Sequence, residues 1–145
     1  MARLCVIVGG WLLTTTPTTT IAAAPADAAD QILAATFRHV ADVFCRKIPC
    51  YLAVDGEPPA EAILRCLRDL PNTRSIARRE TAVKPDDEIA FVINLRQLEP
   101  LPDGTARVHD LITVGTRAVS SCWRLLSSTE AGWRVDSRKT TCDLI

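Results

Sequence analysis

No P-loop, dinucleotide-binding glycine pattern, G-x-S-x-G elbow or H-E-x-x-H pair occurs in the sequence. The nucleotide-cradling, hydride-transfer, serine-hydrolase and zinc-protease designs that rest on those spacings therefore have no footing. Net charge is equally scarce: 17 basic residues balance 17 acidic ones. No global field favours nucleic acid or an anionic membrane. There is no internal repeat, and nowhere do the roughly 20 consecutive apolar residues of a membrane-spanning helix occur. Histidine is confined to His39 and His109, which form no zinc-ligand set with the cysteines by spacing. No metal and no cofactor are expected.

What the N-terminus does contain is a basic residue, Arg3, the short apolar run LCVIVGGWLL, a Thr-rich stretch and then IAAAPADAA. That order reads as a secretory signal peptide with several A-x-A cleavage choices. Cleavage is expected after Ala26, with Ala24 and Ala28 as alternatives. Residues 1–26 are thus a signal peptide and residues 27–145 a single α+β domain, secreted or periplasmic, with no stable membrane insertion after cleavage. Losing Arg3 leaves that domain nearly neutral, and its length suffices for a hydrophobic core.

Apolar spacing orders the elements. From Asp30, Leu33, Phe37, Val40 and Phe44 recur with helical period, predicting a helix over 30–45. CYLAV is β-prone, and DGEPP is turn chemistry whose prolines suit the start of a second helix lined by Ile63, Leu67 and Leu70 and ended by Pro71 and Asn72. TRSIARRETAV is ambiguous. From Glu88 the period changes to two, and EIAFVINLRQL, TARVHDLITV, RAVSSCWRLL and GWRVDSRKTTC read as a four-stranded antiparallel meander. Alternation assigns Ile89, Phe91, Ile93, Leu95, Ala106, Val108, Ile112, Val114, Val119, Trp123, Leu125, Trp133 and Val135 to the face that meets the helices. The opposite face carries Arg96, Arg107, His109, Arg124, Arg134 and Arg138, with Asp136 as counter-charge. The expected fold is α+β: two helices packed on a curved antiparallel sheet made of this meander and a short N-terminal strand.

Helix, short strand, second helix and a meander closing on GWRV resemble the cone-shaped nuclear transport factor two-like superfamily, whose members usually carry more helix before the first strand. YLAVDGEPPAEAILRCL with the terminal GWRV strand is also similar to small secreted bacterial proteins of unestablished function. The superfamily resemblance implies enzymes and non-catalytic binding domains alike, and fold alone does not choose between them.

Export makes disulfides the first expectation for the cysteines. Cys45 and Cys50, spaced C-x4-C at the C-terminal end of a helix, lack the helix N-terminal setting of a redox pair and read as a staple. Cys122 and Cys142 share parity on neighbouring strands and form a second candidate bridge, dependent on register. Cys66 reads as an inert buried thiol, with pairing to Cys45 or Cys50 as the alternative.

Two functional readings follow. The first is a non-catalytic binding or structural module, whose partner is unknown: a protein or a small anionic ligand held by guanidinium groups such as Arg124, Arg134 and Arg138. Solvation of a sheet face by long charged side chains is the ordinary alternative for those arginines. The second is a cone-pocket ligand-binding protein or isomerase- or lyase-like enzyme using Asp110, the one carboxylate that alternation places on the apolar face. Desolvation there would raise its pKa and suit it to general-base work. The plainer alternatives for Asp110 are an outward turn at a bulge, or a structural acid bonded to backbone or to an arginine. His39 and His109 read as structural or surface histidines.

Overall fold

The computed structural model describes residues 17–76 and 89–143, with side chains from residue 28 onward. The apolar run of the expected signal peptide and all of ARRETAV, including Arg78 and Arg79, lie outside the described residues. The elements are α1 (Pro17–Phe44), β1 (Cys50–Val54), α2 (Glu61–Cys66), β2 (Thr73–Ser75), β3 (Phe91–Pro100), β4 (Ala106–Val114), β5 (Arg117–Thr129) and β6 (Gly132–Asp143). They build one six-stranded sheet in the order β2-β1-β3-β4-β5-β6.

The α+β class and the meander from β3 to β6 are as the residues predict, with two differences at the N-terminal side. β1 runs parallel to both β2 and β3, so the sheet is mixed rather than antiparallel. α2 supplies the crossover connection that parallel neighbours such as β1 and β2 require. The second difference is α1, which begins well before Asp30 because an alanine-rich segment has high helix propensity. The backbone at the expected cleavage positions Ala24, Ala26 and Ala28 is helical.

α2 is only one and a half turns long. Its N-cap, Ala60, supplies no side-chain hydrogen bond, and after Cys66 the chain tightens into i→i+3 turns, Leu67 N–H to Leu64 C=O at 3.1 Å and Leu70 N–H to Leu67 C=O at 3.0 Å. Asn72 then takes a left-handed conformation (φ 59°), which asparagine tolerates better than most side chains. Its amide donates to the carbonyls of Cys45 and Arg46, both at 3.3 Å, so the start of β2 is tied to the end of α1. Arg38 ties the two helices further by a forked contact to Asp69 (2.8 and 3.1 Å) and a bond to the Cys66 carbonyl (2.6 Å).

The core lies between the helices and one face of the sheet. Phe37 and Val40 of α1 pack with Leu52, Ile63, Ile93, Leu95, Val108, Ile112 and Leu126. Each such fully buried side chain stabilises by roughly 1.5–3 kcal/mol relative to exposure. Trp133 and Val135 pack against the same cluster, as their alternation requires. Gly115, at φ 61° in the two-residue β4–β5 connection, supplies the positive φ a tight hairpin turn needs.

Three irregularities decide which side chains face this core. One falls on β3 between Leu95 and Gln97, another on β5 where Ala118 and Ser120 flank an extra Val119. The third, on β6, sets the residues between Asp136 and Thr141 against Arg124 alone. On β5 the outcome reverses the expectation: Cys122, Arg124 and Leu126 are buried, while Val119 is exposed and Trp123 and Leu125 are half-buried on the other face. The strand carries apolar residues at both parities, so alternation does not choose between them. Pairing does, because Leu126 stands opposite Ala106 and Val135, and Arg124 opposite Val108. Ile89, expected inward, is 70% exposed since it precedes the first paired residue of β3.

Candidate functional site

Asp110 sits at the middle of β4 with none of its surface accessible. A carboxylate in that position is tolerable only with a partner, and the reversed parity of β5 brings one. Arg124 donates from Nε to Asp110 Oδ2, and its side chain is only 10% exposed. Asp110 is thus a buried acid bonded to an arginine. Its second oxygen, Oδ1, is buried without a hydrogen-bond partner among the described residues. Burial pushes the Asp110 carboxyl above the ordinary carboxylate range, against the pull of the Arg124 hydrogen bond and charge and the smaller influence of His109 and His39.

α1 contributes His39 to the same locality. Burial lowers its pKa first and the Arg124 charge second, with Asp42 and Asp110 pulling the other way. His39 lies one turn before Val43 along a helix edge, whereas Arg38 points toward α2. The Cys122–Cys142 bridge adjoins the pair, since Cys122 is the cross-strand partner of both Asp110 and Cys142.

The opposite face of the sheet carries a different set. Glu99 accepts from Arg107 Nη2 at 2.6 Å, and the Arg107 guanidinium lies 4.4 Å from the centre of the Trp123 ring. Trp123 meets His109 with ring centres 5.0 Å apart, and His109 Nε2 pairs with Ser121 Oγ at 2.9 Å. This chain of contacts answers why a tryptophan leaves the core: it is covered by a cation and an imidazole instead.

The three arginines named together from sequence are therefore separated. Arg124 is interior, Arg134 stands exposed opposite Ser127 on the outer face, and Arg138 is exposed within the β6 irregularity. That irregularity is held by Asp136, whose carboxylate accepts the Arg138 backbone N–H at 3.0 Å and whose carbonyl accepts from Thr140 Oγ1 at 3.3 Å. Sequence reasoning missed the Asp110–Arg124 pairing and the role of His39. The available signal was Asp110 itself, a carboxylate on an apolar face that needs a partner, which a flipped β5 supplies as Arg124.

Both expected bridges form. Cys45–Cys50 has a Cα–Cα distance of 5.6 Å and Cys122–Cys142 one of 4.1 Å. The first closes the exit of α1 into β1, and the second fastens β6 to β5. Cys66, expected as an inert thiol or as a partner of Cys45 or Cys50, is neither: it is disulfide-bonded, while Cys45 and Cys50 pair with each other. Among the described residues no cluster of three metal-ligating side chains occurs, and no helix is long and apolar enough to cross a membrane. No protein-family pattern, curated protein or solved structure matches the chain.

Proposed function

We propose that this chain is an exported, disulfide-stapled α+β module that binds or scaffolds rather than catalyses. One observation carries the reading: Asp110, the best placed carboxylate for general-base work, is enclosed in the core and bonded to Arg124. A general base must reach a substrate proton directly or through one water, and a carboxyl with no accessible surface does not meet that condition. Two disulfides suit an oxidising compartment, which supports export with residues 1–26 as the signal. The likeness to the nuclear transport factor two-like superfamily, whose members include binding domains, draws support from a long helix laid over a bulged meander.

The test uses the exported protein as bait in periplasmic or culture fluid, in low and high salt. The module reading expects a partner retained at low salt and released as salt rises. A folded Asp110→Asn protein that has lost its activity in the cell, with no retained partner for the parent, would return Asp110 to the active role and overturn the reading.

A further inference from the structure

The Asp110–Arg124 contact leaves most of the arginine unused. A guanidinium offers five N–H donors in a fixed fork, and Asp110 takes one of them, at Nε. Among the described residues neither Nη group has a hydrogen-bond partner, although the residue is 8% exposed. On the β6 side Arg124 has no cross-strand partner either, because the ladder passes from Leu125 opposite Asp136 to Trp123 opposite Thr141. The four remaining donors thus have no acceptor among the described residues, at the point where β6 leaves the β5 ladder and where α1 packs on the sheet. His39 of α1 lies close enough to Arg124 for the guanidinium charge to act on it, and its ring has no hydrogen-bond partner among the described residues. The exposed side chains of Arg138 and Lys139 stand on the segment of β6 that leaves the ladder, so the approach carries positive charge.

From this geometry we infer that Arg124 and His39 form a seat for a small oxyanion, a carboxylate or a phosphate, entered between α1 and β6. The inference rests on the binding-module reading and names the chemical class that the module takes. Asp110 holds the guanidinium by its Nε, which leaves both Nη groups for the fork that matches two oxygens of one anion. The imidazole supplies a further N–H. Asp42, Asp110 and Arg124 are the charged groups that face His39, and the acidic two limit the seat to one anionic group of modest charge. Arg134 takes no part, since it lies on the other face.

The chain provides its own control, because its only other histidine, His109, sits on the outer face beside Trp123. The experiment follows the ring signals of both histidines by NMR while the exported protein is titrated with inorganic phosphate, and separately with acetate, at constant ionic strength set by chloride. The expected result is a saturable shift of the His39 signals with either anion and an unmoved His109. Saturation by acetate only assigns a carboxylate seat, and saturation by phosphate assigns a phosphate seat. His39→Gln, which leaves the core pair intact, should weaken the apparent affinity about three- to tenfold, the worth of one hydrogen bond, read from Arg124 side-chain signals. An Arg134→Ser protein should bind as the parent does. Shifts that stay linear in both anions, or that move His109 as much as His39, would overturn the inference. If that happens while a salt-sensitive partner is still retained from the exported fraction, the seat falls and the module reading stands.

Discussion

Two arginine–carboxylate pairs cross neighbouring strands of this sheet, and they differ in little except water. Glu99–Arg107 joins β3 to β4 on the outer face, with side chains 50% and 43% exposed. Asp110–Arg124 joins β4 to β5 on the inner face, with side chains 0% and 10% exposed. When the outer pair opens, each ion regains solvent, so its attraction in high dielectric adds little. Opening the inner pair gives neither ion that refuge. The inner pair is therefore costly to break yet contributes little net stability, because bringing both ions out of water offsets most of their attraction. Its clearer consequence is register. With Asp110 fixed inward by its apolar neighbours Val108 and Ile112, only the β5 parity that buries Arg124 leaves no lone charge in the core.

The largest expected effect follows directly. Arg124→Ala should cost about 3–5 kcal/mol, because it strands a buried carboxylate, and urea denaturation would read it as a large fall in midpoint. Replacing both partners together, Asp110→Leu with Arg124→Met, should restore stability to near the parent value. If Arg124→Ala costs no more than Arg107→Ala, burial is not what separates the two pairs.

Next in size is the bridge beside the inner pair. Cys122 and Cys142 lie 20 residues apart in sequence, and a loop of that length loses about 3 kcal/mol of stabilisation when the bond is removed, on the chain-entropy view. Cys45 and Cys50, separated by 5, should give about 2 kcal/mol. Thermal unfolding of the two Cys→Ser double variants compares them. The sharper readout is coupling: Cys122 neighbours Asp110 across the ladder, so its removal should change the cost of Arg124→Ala, whereas removal of Cys45–Cys50 should not.

The residues disclosed the fold unevenly, for reasons visible at particular positions. Although β3 also buries Val92 on its other face beside Ala53 and Ile76, Ile93, Leu95, Val108, Ile112, Trp133 and Val135 went where alternation sends them. β5 did not, because RAVSSCWRLL is amphipathic at neither parity and an extra residue at Val119 breaks its phase. β2 was illegible at three residues. The bridges were readable because both depend on short spacing or shared strand parity. The candidate site was half readable: Asp110 stood out as a carboxylate among apolar neighbours, but its partner depended on the one strand whose phase the pattern does not fix. His39 was placed by α1 crossing the sheet, a tertiary fact with no local signature.

Smaller still is the outer pair. Glu99→Gln should cost no more than about 1 kcal/mol, as exposed pairs do, and the loss should shrink in high salt as screening replaces the attraction. Trp123→Leu tests the rest of that face. It removes the ring that covers Arg107 and His109, and cation–π contact at an exposed site is worth about 0.5–1 kcal/mol. A double-mutant cycle of Trp123→Leu with Arg107→Ala measures the contact itself. A coupling as large as that across Asp110 and Arg124 would erase the distinction between the faces.

The smallest effect concerns pH, and it separates the faces by histidine. Burial and the Arg124 charge lower the pKa of His39 beneath the value of about 6.5 that it takes in an unfolded chain. The unfolded state therefore binds a proton more readily than the folded state does. The stability His39 allows is fully present above about pH 6.5 and is lost as pH falls from there through the folded pKa. Asp110 works in the opposite sense, because its folded pKa is raised: the folded state is favoured as pH falls through that value toward the unfolded one. Acidification thus sets the two groups of one cluster against each other. A His39→Gln protein should lose the part of the decline that begins near pH 6.5, so its urea midpoint should fall less than the parent's between about pH 7 and 5.5. His109→Gln, on the solvent side of the sheet, serves as the comparison. Parallel parent and His39→Gln curves over that interval would show that the inner cluster does not set the titration of His39, and the contrast between the two faces would then rest on the ion pairs alone.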